Sequence, residues 1–172
     1  PCITANNAAK KIDSVFIKSK ADSALATIPN LATVTVEKGF PIMKRFSINP
    51  HNVQDTTITT YYSSAVQTGT DSSITLQVTY PYLTLLAATL HTHPANGYSA
   101  HSAKDIYEMI EERLLSSRFE GIFVAAASGD RYAVTVTDYN KAAAFLNTKN
   151  QYLSGSAWNK TSPVGKAFKD AY

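Results

Sequence analysis

Two histidines separated by a single residue, His91 and His93, are the residues of this chain best placed to do chemistry. They stand where an apolar stretch ends, and alternate residues of a strand point to the same side, so both imidazoles can reach one point. Asp105, at the start of an amphipathic stretch, can bring a carboxylate to that point. Two nitrogens and one oxygen leave a fourth tetrahedral position for water, which is the arrangement of catalytic rather than structural zinc.

The second half of this window also has a purely structural interpretation. Ser102, followed three residues later by Asp105, is the pattern of a helix N-terminus, in which the hydroxyl caps the first turn and the acid stabilises it. A His-x-His pair by itself also occurs by chance in surface loops. On these residues alone, a metal site and a plain helix start both remain open.

The residues around the histidines predict the elements that position them. Residues 82–90 are mostly apolar and predict a buried strand with the histidines at its end. Residues 102–117 carry apolar side chains every three or four positions, which predicts an amphipathic helix. Thr92 would point away from the two histidines and either pack or support them. The candidate site would therefore lie between a strand end and a helix start.

The rest of the chain predicts a mixed α+β domain with a mainly antiparallel sheet flanked by helices. Before the histidine strand, the predicted elements are a helix over 6–28, a strand over 31–40 in a hairpin with 41–48 through a turn near Lys38-Gly39, an excursion over 49–72 with one short strand, and a strand over 73–78. After the helix over 102–117, they are a hairpin of 121–127 and 131–137, a helix capped by Asp138 and ending at Leu146, and a helix from Pro163 to Ala171. One domain over 1–172 is expected, with an N-terminal helix in 1–30, the core and metal site in 31–140, and a helical extension in 141–172.

Composition and charge argue against several classes of function. The net charge of +3 comes without a clustered basic patch, so the chain is not expected to bind nucleic acid. No apolar run reaches the roughly 18 residues of a membrane span. The single cysteine, Cys2, rules out an intramolecular disulfide, and a start at Pro1 without methionine indicates a truncated or processed product. The charged fraction of 17%, below the usual value of about 25%, leans towards an exported protein.

His91-Thr92-His93-Pro94, a spacer and Ser102-Ala103-Lys104-Asp105 closely resemble the signature of the JAMM (MPN+, JAB) metalloprotease family, in its bacterial type. That signature also has an upstream glutamate on an early strand beside the histidine strand. Glu37 is the only glutamate before residue 108, so the resemblance points to it. The spacer from Pro94 to His101 is one residue longer than in the family, which would let His101 compete for the metal.

The resemblance implies a role for each of these side chains. His91, His93 and Asp105 would bind Zn²⁺, with water in the fourth position, and the zinc would lower the pKa of that water and polarise the scissile carbonyl. Glu37 would take the proton from the attacking water and deliver it to the leaving amine. Ser102 would donate a hydrogen bond to the oxyanion. Capping the helix and serving the oxyanion are competing demands on that one hydroxyl.

The family resemblance implies a zinc-dependent hydrolase that cleaves an amide or isopeptide bond in a peptide or protein substrate, on a JAB/MPN-like, cytidine-deaminase-like fold. One alternative is a non-catalytic MPN-like protein-binding module, although inactive members typically lose a ligand and none is missing here. Another is an effector or toxin-type domain with a structural metal, in which His101 would complete a closed site. The natural substrate, the compartment and the oligomeric state do not follow from the sequence.

Overall fold

The computed structural model describes residues 2–95, 100–155, 157–159, 162–164 and 166–167. The helices are α1 (Cys2–Lys18), α2 (Ala21–Leu25), α3 (Ala103–Leu115), α4 (Tyr139–Leu146) and α5 (Lys149–Tyr152), with a 3₁₀ turn at Leu31–Thr33. The strands are β1 (Lys38–Asn49), β2 (Asn52–Ser63), β3 (Gln67–Thr68), β4 (Thr84–His93), β5 (Gly121–Ala126), β6 (Arg131–Val134), β7 (Leu153–Ser154) and β8 (Ala157–Trp158). A long, continuously apolar helix of the kind that crosses a membrane is not found among the described residues.

The main sheet has the strand order β2-β1-β4-β5-β6, with β3 paired to the start of β1. Only β4 and β5 run parallel, and α3 connects them, as a parallel pair requires a crossover. The other pairs of this sheet are antiparallel. The predicted class, an α+β fold with a mixed sheet flanked by helices, is therefore confirmed.

The sheet lies between α1 and α3, as two consecutive residues of β5 demonstrate. Phe123 belongs to the cluster that contains Ile12 and Val15 of α1, whereas Ile122 packs in a second cluster with Met109 of α3. Side chains of neighbouring strand residues point to opposite faces, so the two clusters cover the two faces of the sheet. The histidine strand β4 is held in the middle of this arrangement.

The predicted hairpin of 31–40 with 41–48 is wrong, because β1 is one continuous strand. Residues 31–33 form the 3₁₀ turn, after Asn30 in the left-handed conformation with φ 51°. Lys38 and Gly39, expected near a turn, are paired with β3, and Gly39 also lies opposite His91. A Cβ at Gly39 would lie 2.6 Å from the carbonyl oxygen of Leu90. The glycine is therefore required by the close approach of β1 to β4.

The predicted excursion over 49–72 is also wrong in most of its length. Its residues from Asn52 to Ser63 form β2, which pairs with β1 almost throughout. β2 is the edge strand of the sheet and is rich in threonine, so it lacks the apolar alternation that marks a half-buried strand. The predicted strand over 73–78 belongs to no sheet, although its chain alternates between exposed and half-buried residues.

At the N-terminus the single predicted helix over 6–28 is broken into α1 and α2. The break lies at Lys20, which has a left-handed backbone with φ 57°. The predicted helix over 102–117 is confirmed as α3, and so is the hairpin of β5 and β6. Asp138 caps α4 by accepting a hydrogen bond from the backbone N–H of Lys141 at 3.0 Å.

The C-terminal stretch over 141–172, expected to be helical, also contains the small hairpin of β7 and β8. The predicted helix from Pro163 to Ala171 lies mostly outside the described residues.

Candidate metal centre

The side chains of His91, His93 and Asp105 meet at one point, as the sequence predicts. The Nε2 atoms of the two histidines are 3.1 Å apart. Oδ1 of Asp105 lies 3.3 Å from Nε2 of His91, and Oδ2 lies 3.6 Å from Nε2 of His93. All three residues are buried, with between 6% and 7% of their surface exposed. Within the described part of the chain, this group contains no fourth histidine, cysteine or carboxylate.

Two elements hold these ligands in place. His91 and His93 lie in β4, whose last residues pair with β5, and His91 also pairs with β1 on the other side. Asp105 stands in the first turn of α3, where its Oδ2 accepts a hydrogen bond from the backbone N–H of Ser102 at 2.6 Å. The backbone N–H of Asp105 in turn donates to Oγ of Ser102 at 3.2 Å, which completes a capping box. The cap therefore positions the carboxylate, and Oδ1 stays available to a metal.

The spacing of the donor atoms fits a zinc ion. Ligands about 2.0–2.1 Å from a tetrahedral zinc lie about 3.3 Å from each other. The measured distances of 3.1 Å between the ring nitrogens and 3.3 Å from His91 to Asp105 match that separation. Two imidazoles and one carboxylate are also a donor set that zinc prefers. The site therefore has the spacing and chemistry of a three-residue zinc site with one open position.

Electrostatics favour a cation at this point. Burial alone would raise the pKa of Asp105, but the neighbouring imidazoles of His91 and His93 outweigh it and lower the pKa well below its usual range. The carboxylate is therefore ionised at neutral pH. Two ring nitrogens that face each other at 3.1 Å also repel unless a proton or a cation lies between their lone pairs. A divalent metal would supply that positive charge and displace the proton.

Glu37, the proposed base, lies beside these ligands. It lines a cavity of about 390 Å³ together with His91, Asp105 and Ser102. Only 9% of Glu37 is exposed, and among the described residues its carboxylate makes no hydrogen bond. Burial raises the pKa of Glu37, and the nearby His91 and His93 offset part of that rise. The site thus combines three side chains that could hold a metal ion with a carboxylate whose proton affinity is increased.

The backbone around Glu37 is fixed on two sides. Its N–H donates to the carbonyl of Thr70 at 2.6 Å, and its carbonyl accepts from the N–H of Gly69 at 2.8 Å. The next residue, Lys38, donates its backbone N–H to Oγ1 of Thr92 at 2.9 Å. Thr92 is completely buried, so the residue between the two histidines ties their strand to the segment that carries Glu37. This contact gives Thr92 a supporting role.

Ser102 lines the same cavity, and its two expected tasks are compatible. A hydroxyl has two acceptor lone pairs and one donor proton. The cap uses Oγ as an acceptor from the N–H of Asp105, which leaves the proton free to be donated into the cavity. The cap therefore leaves the hydroxyl proton of Ser102 available, and oxyanion binding by this residue stays a prediction.

Replacing Ser102 with Ala is expected to lower the free energy of unfolding by about 0.5–2 kcal/mol, because the N-cap of α3 is lost. Ser102→Thr, which keeps a capping hydroxyl, should stay close to the wild type. Urea denaturation of the three proteins measures the difference. Equal stability of Ser102→Ala and the wild type would exclude a capping contribution.

His101 does not belong to the metal-binding group. Its Nε2 lies 3.0 Å from the backbone carbonyl of Ile122, and only 6% of the residue is exposed. Burial lowers the pKa of His101 to about 4, against the opposing effect of this hydrogen bond. A neutral imidazole therefore donates to β5 and anchors the residues just before α3. The expectation that His101 competes for the metal is not met in this geometry.

The segment over 69–80, named the covering segment here, was not predicted as part of the site. Its first residues hold the backbone of Glu37, and Ile74, Leu76 and Val78 line the cavity. These three residues occupy alternate positions, and the same alternation predicted a strand. The alternation therefore indicated correctly that one side of this segment is buried. That side faces the cavity, however, and the segment is not a strand of the sheet.

Comparisons with known proteins add no family assignment: no protein-family model matches the chain, and no curated protein is significantly similar to it. An assignment of function must therefore rest on the chemistry that five side chains can perform together, namely His91, His93, Asp105, Glu37 and Ser102.

Proposed function

We propose that this protein is a zinc-dependent hydrolase of an amide or isopeptide bond, a JAMM-like metallopeptidase acting on a peptide or protein substrate. The observation that carries the proposal is the meeting of His91, His93 and Asp105 on one cavity with Glu37 and Ser102. Each side chain is of the type that metal-assisted hydrolysis requires. No one residue of the group suggests this chemistry alone.

His91, His93 and Asp105 are the residues that would hold the zinc. The ion, when bound, supplies Lewis acidity that polarises the scissile carbonyl and makes water more acidic. Asp105 would offer Oδ1, because its Oδ2 already accepts the hydrogen bond from the N–H of Ser102. This division keeps the carboxylate in one orientation, as the supporting hydrogen bonds of metal ligands generally do.

Glu37 acts as the proton carrier. As a general base it removes a proton from the attacking water, and as a general acid it delivers that proton to the nitrogen of the leaving amine. A carboxylate whose pKa is raised by burial suits both steps better than an exposed one. Its fixed backbone, held by Gly69 and Thr70, keeps the carboxylate at the cavity wall.

Ser102 stabilises the negative charge that develops on the carbonyl oxygen. Its O–H proton is not used by the helix cap and can be donated to that oxygen. The hydroxyl is preorganised, because the cap holds Oγ against the backbone of Asp105. A single donor of this type typically accounts for a factor of about 10²–10³ in kcat.

The arrangement of the elements supports a JAB/MPN-like fold for this domain. Glu37 directly precedes β1, which runs antiparallel beside the histidine strand β4. The next helix, α3, carries the acidic ligand in its first turn and leads to the parallel neighbour β5. A non-catalytic module of this kind typically lacks one of the ligands, whereas all three are present here. The catalytic alternative is therefore preferred.

The test is incubation of the zinc-loaded protein with a peptide library and with isopeptide-linked peptides, followed by mass spectrometry of the products. Cleavage is expected from the wild type and not from His91→Ala, which removes one zinc ligand. Restoring zinc to metal-depleted wild type should restore cleavage. Zinc-loaded wild type that cleaves none of these substrates would overturn the proposal.

A further inference from the structure

The cavity at the candidate metal centre continues along α3 into what is named the acidic groove here. Its α3 wall carries three glutamates, Glu108, Glu111 and Glu112, and its opposite wall is the covering segment with Ile74, Leu76 and Val78. Apolar side chains of the sheet and of the turn before β5 also line it, namely Leu86, Phe119 and Ile122. Ser72, Ser73, Thr75, Thr89 and Lys104 line the cavity as well, so the groove has a mixed surface with one acidic wall.

The three glutamates share one face of α3 with Asp105. Residues three or four positions apart in a helix are neighbours on its surface, and this spacing separates 105 from 108 and 108 from both 111 and 112. At a rise of about 1.5 Å per residue, Glu112 lies about 10 Å along the helix from Asp105. That distance is about three residues of an extended peptide. A ligand at the metal centre can therefore reach Glu112.

The charge of this wall is only partly neutralised. Lys104 pairs with Glu108 at 3.3 Å, and Lys149 pairs with Glu111 at 2.6 Å. In the described ranges Glu112 has no cationic partner. Burial raises the pKa of Glu112, and the like charges of Glu108 and Glu111 add a smaller repulsion. A ligand that brings a positive charge to Glu112 would relieve it.

A second observation indicates that this cavity receives a ligand. Glu37 is only 9% exposed as a residue and lines the cavity, and its side chain makes no hydrogen bond among the described residues. A buried carboxylate without a donor is costly unless a ligand or solvent supplies one. Glu37 and the glutamates of α3 line one continuous cavity. The parts of a ligand that adjoin the group bound at Glu37 would therefore lie in the acidic groove.

We infer that the acidic groove binds a lysine or arginine side chain of the substrate and makes the site selective for basic peptides. The aliphatic stem of such a side chain packs on Leu86 and Ile122, and its cationic end pairs with Glu112. This inference rests on the proposed function for the reacting centre, but it concerns binding about 10 Å from Asp105 along α3.

The test compares two end-blocked, dye-labelled peptides that differ only in a central lysine or norleucine. Their binding to the full chain is measured by fluorescence anisotropy at low salt, with zinc absent so that no cleavage occurs. The lysine peptide is expected to bind about fivefold more tightly, and raising the salt should remove the difference. Glu112→Gln should abolish the preference, whereas Asp13→Asn, which removes one exposed negative charge on α1 outside this cavity, should keep it.

Equal affinity for the two peptides, or a preference that survives in Glu112→Gln, would overturn the inference. Because this assay needs no catalysis, a lysine preference without cleavage by zinc-loaded protein would count against the proposed function alone. Cleavage without any enrichment of lysine or arginine near the cleaved bond would count against the acidic groove alone. Circular dichroism of Glu112→Gln verifies that the exposed substitution leaves the fold intact.

Discussion

Replacing Glu37 with Gln is expected to lower kcat by about 10²–10⁴-fold while zinc binding is retained, as for the loss of a general acid–base. Gln has the size of Glu but cannot accept a proton from water. Gln is also uncharged, and residue 37 is only 9% exposed, so the variant should fold at least as well as the wild type. The effect should therefore fall on the chemical step.

The measurement pairs steady-state hydrolysis with the zinc content of the same protein preparation. His91→Ala is the matched comparison, because it should lose zinc and hydrolysis together. Glu37→Gln should separate the two properties. Hydrolysis at the wild-type rate by Glu37→Gln would remove Glu37 from the mechanism, whatever its zinc content.

Replacing Glu120 with Gln is expected to lower the free energy of unfolding by about 3–5 kcal/mol, which is the usual cost of breaking a buried ion pair from one side. Oε1 of Glu120 lies 2.5 Å from Nζ of Lys44, and the two residues are 5% and 3% exposed. Lys44 also donates to the carbonyl of Arg118. Without the carboxylate, a buried ammonium group remains with only neutral partners.

Thermal and urea denaturation measure this loss, which corresponds to a decrease in Tm of about 6–20 °C for a chain of this length. The double variant Lys44→Met with Glu120→Gln is the control, since it removes the stranded charge and should recover part of the stability. A Glu120→Gln protein as stable as the wild type would contradict the assignment of Lys44 and Glu120 as a buried ion pair.

The same pair predicts a dependence of stability on pH. Burial alone would raise the pKa of Glu120, but the hydrogen bond and charge of Lys44 outweigh it, so the pKa lies below its ordinary value of 4.5. The unfolded chain therefore binds this proton first, and the stabilisation is lost as the pH falls below about 4.5 and through the folded-state pKa. Glu120→Gln should lack this part of the acid dependence.

The elements with strong local patterns could be predicted from the sequence. The apolar stripe of α3 and its Ser102 cap, the hairpin of β5 and β6, and the Asp138 cap are all set by residues within a few positions of each other. The meeting of His91, His93 and Asp105 depends only on a strand end and the first turn of the next helix. Local spacing was therefore sufficient to predict it.

The register of β1 could not be read from local patterns. Gly39 looks like a turn residue, but a glycine is required there because β1 closely approaches Leu90 of β4, which is far away in the sequence. The edge strand β2 is polar on its exposed face and so has no visible alternation. In both cases the deciding contact is between residues distant in sequence.

The residues that surround the candidate site could not be predicted from the sequence for the same reason. Glu37 could be selected only through the family resemblance, since nothing nearby in sequence links it to the histidines. The covering segment reaches Glu37 through backbone hydrogen bonds of Gly69 and Thr70, which carry no side-chain signal. The acidic groove likewise exists only once α3 and the covering segment lie together on one side of the sheet.

The most direct test is the zinc content of the purified protein after incubation with zinc at neutral pH, beside an Asp105→Asn variant. Asn can still accept the hydrogen bond from the N–H of Ser102, so the helix cap is preserved while the anionic ligand is lost. About one zinc per chain in the wild type, as expected for a three-ligand site, and a sharply reduced content in the variant are predicted. A wild type without zinc, or a variant with as much zinc as the wild type, would show that His91, His93 and Asp105 are not a metal centre.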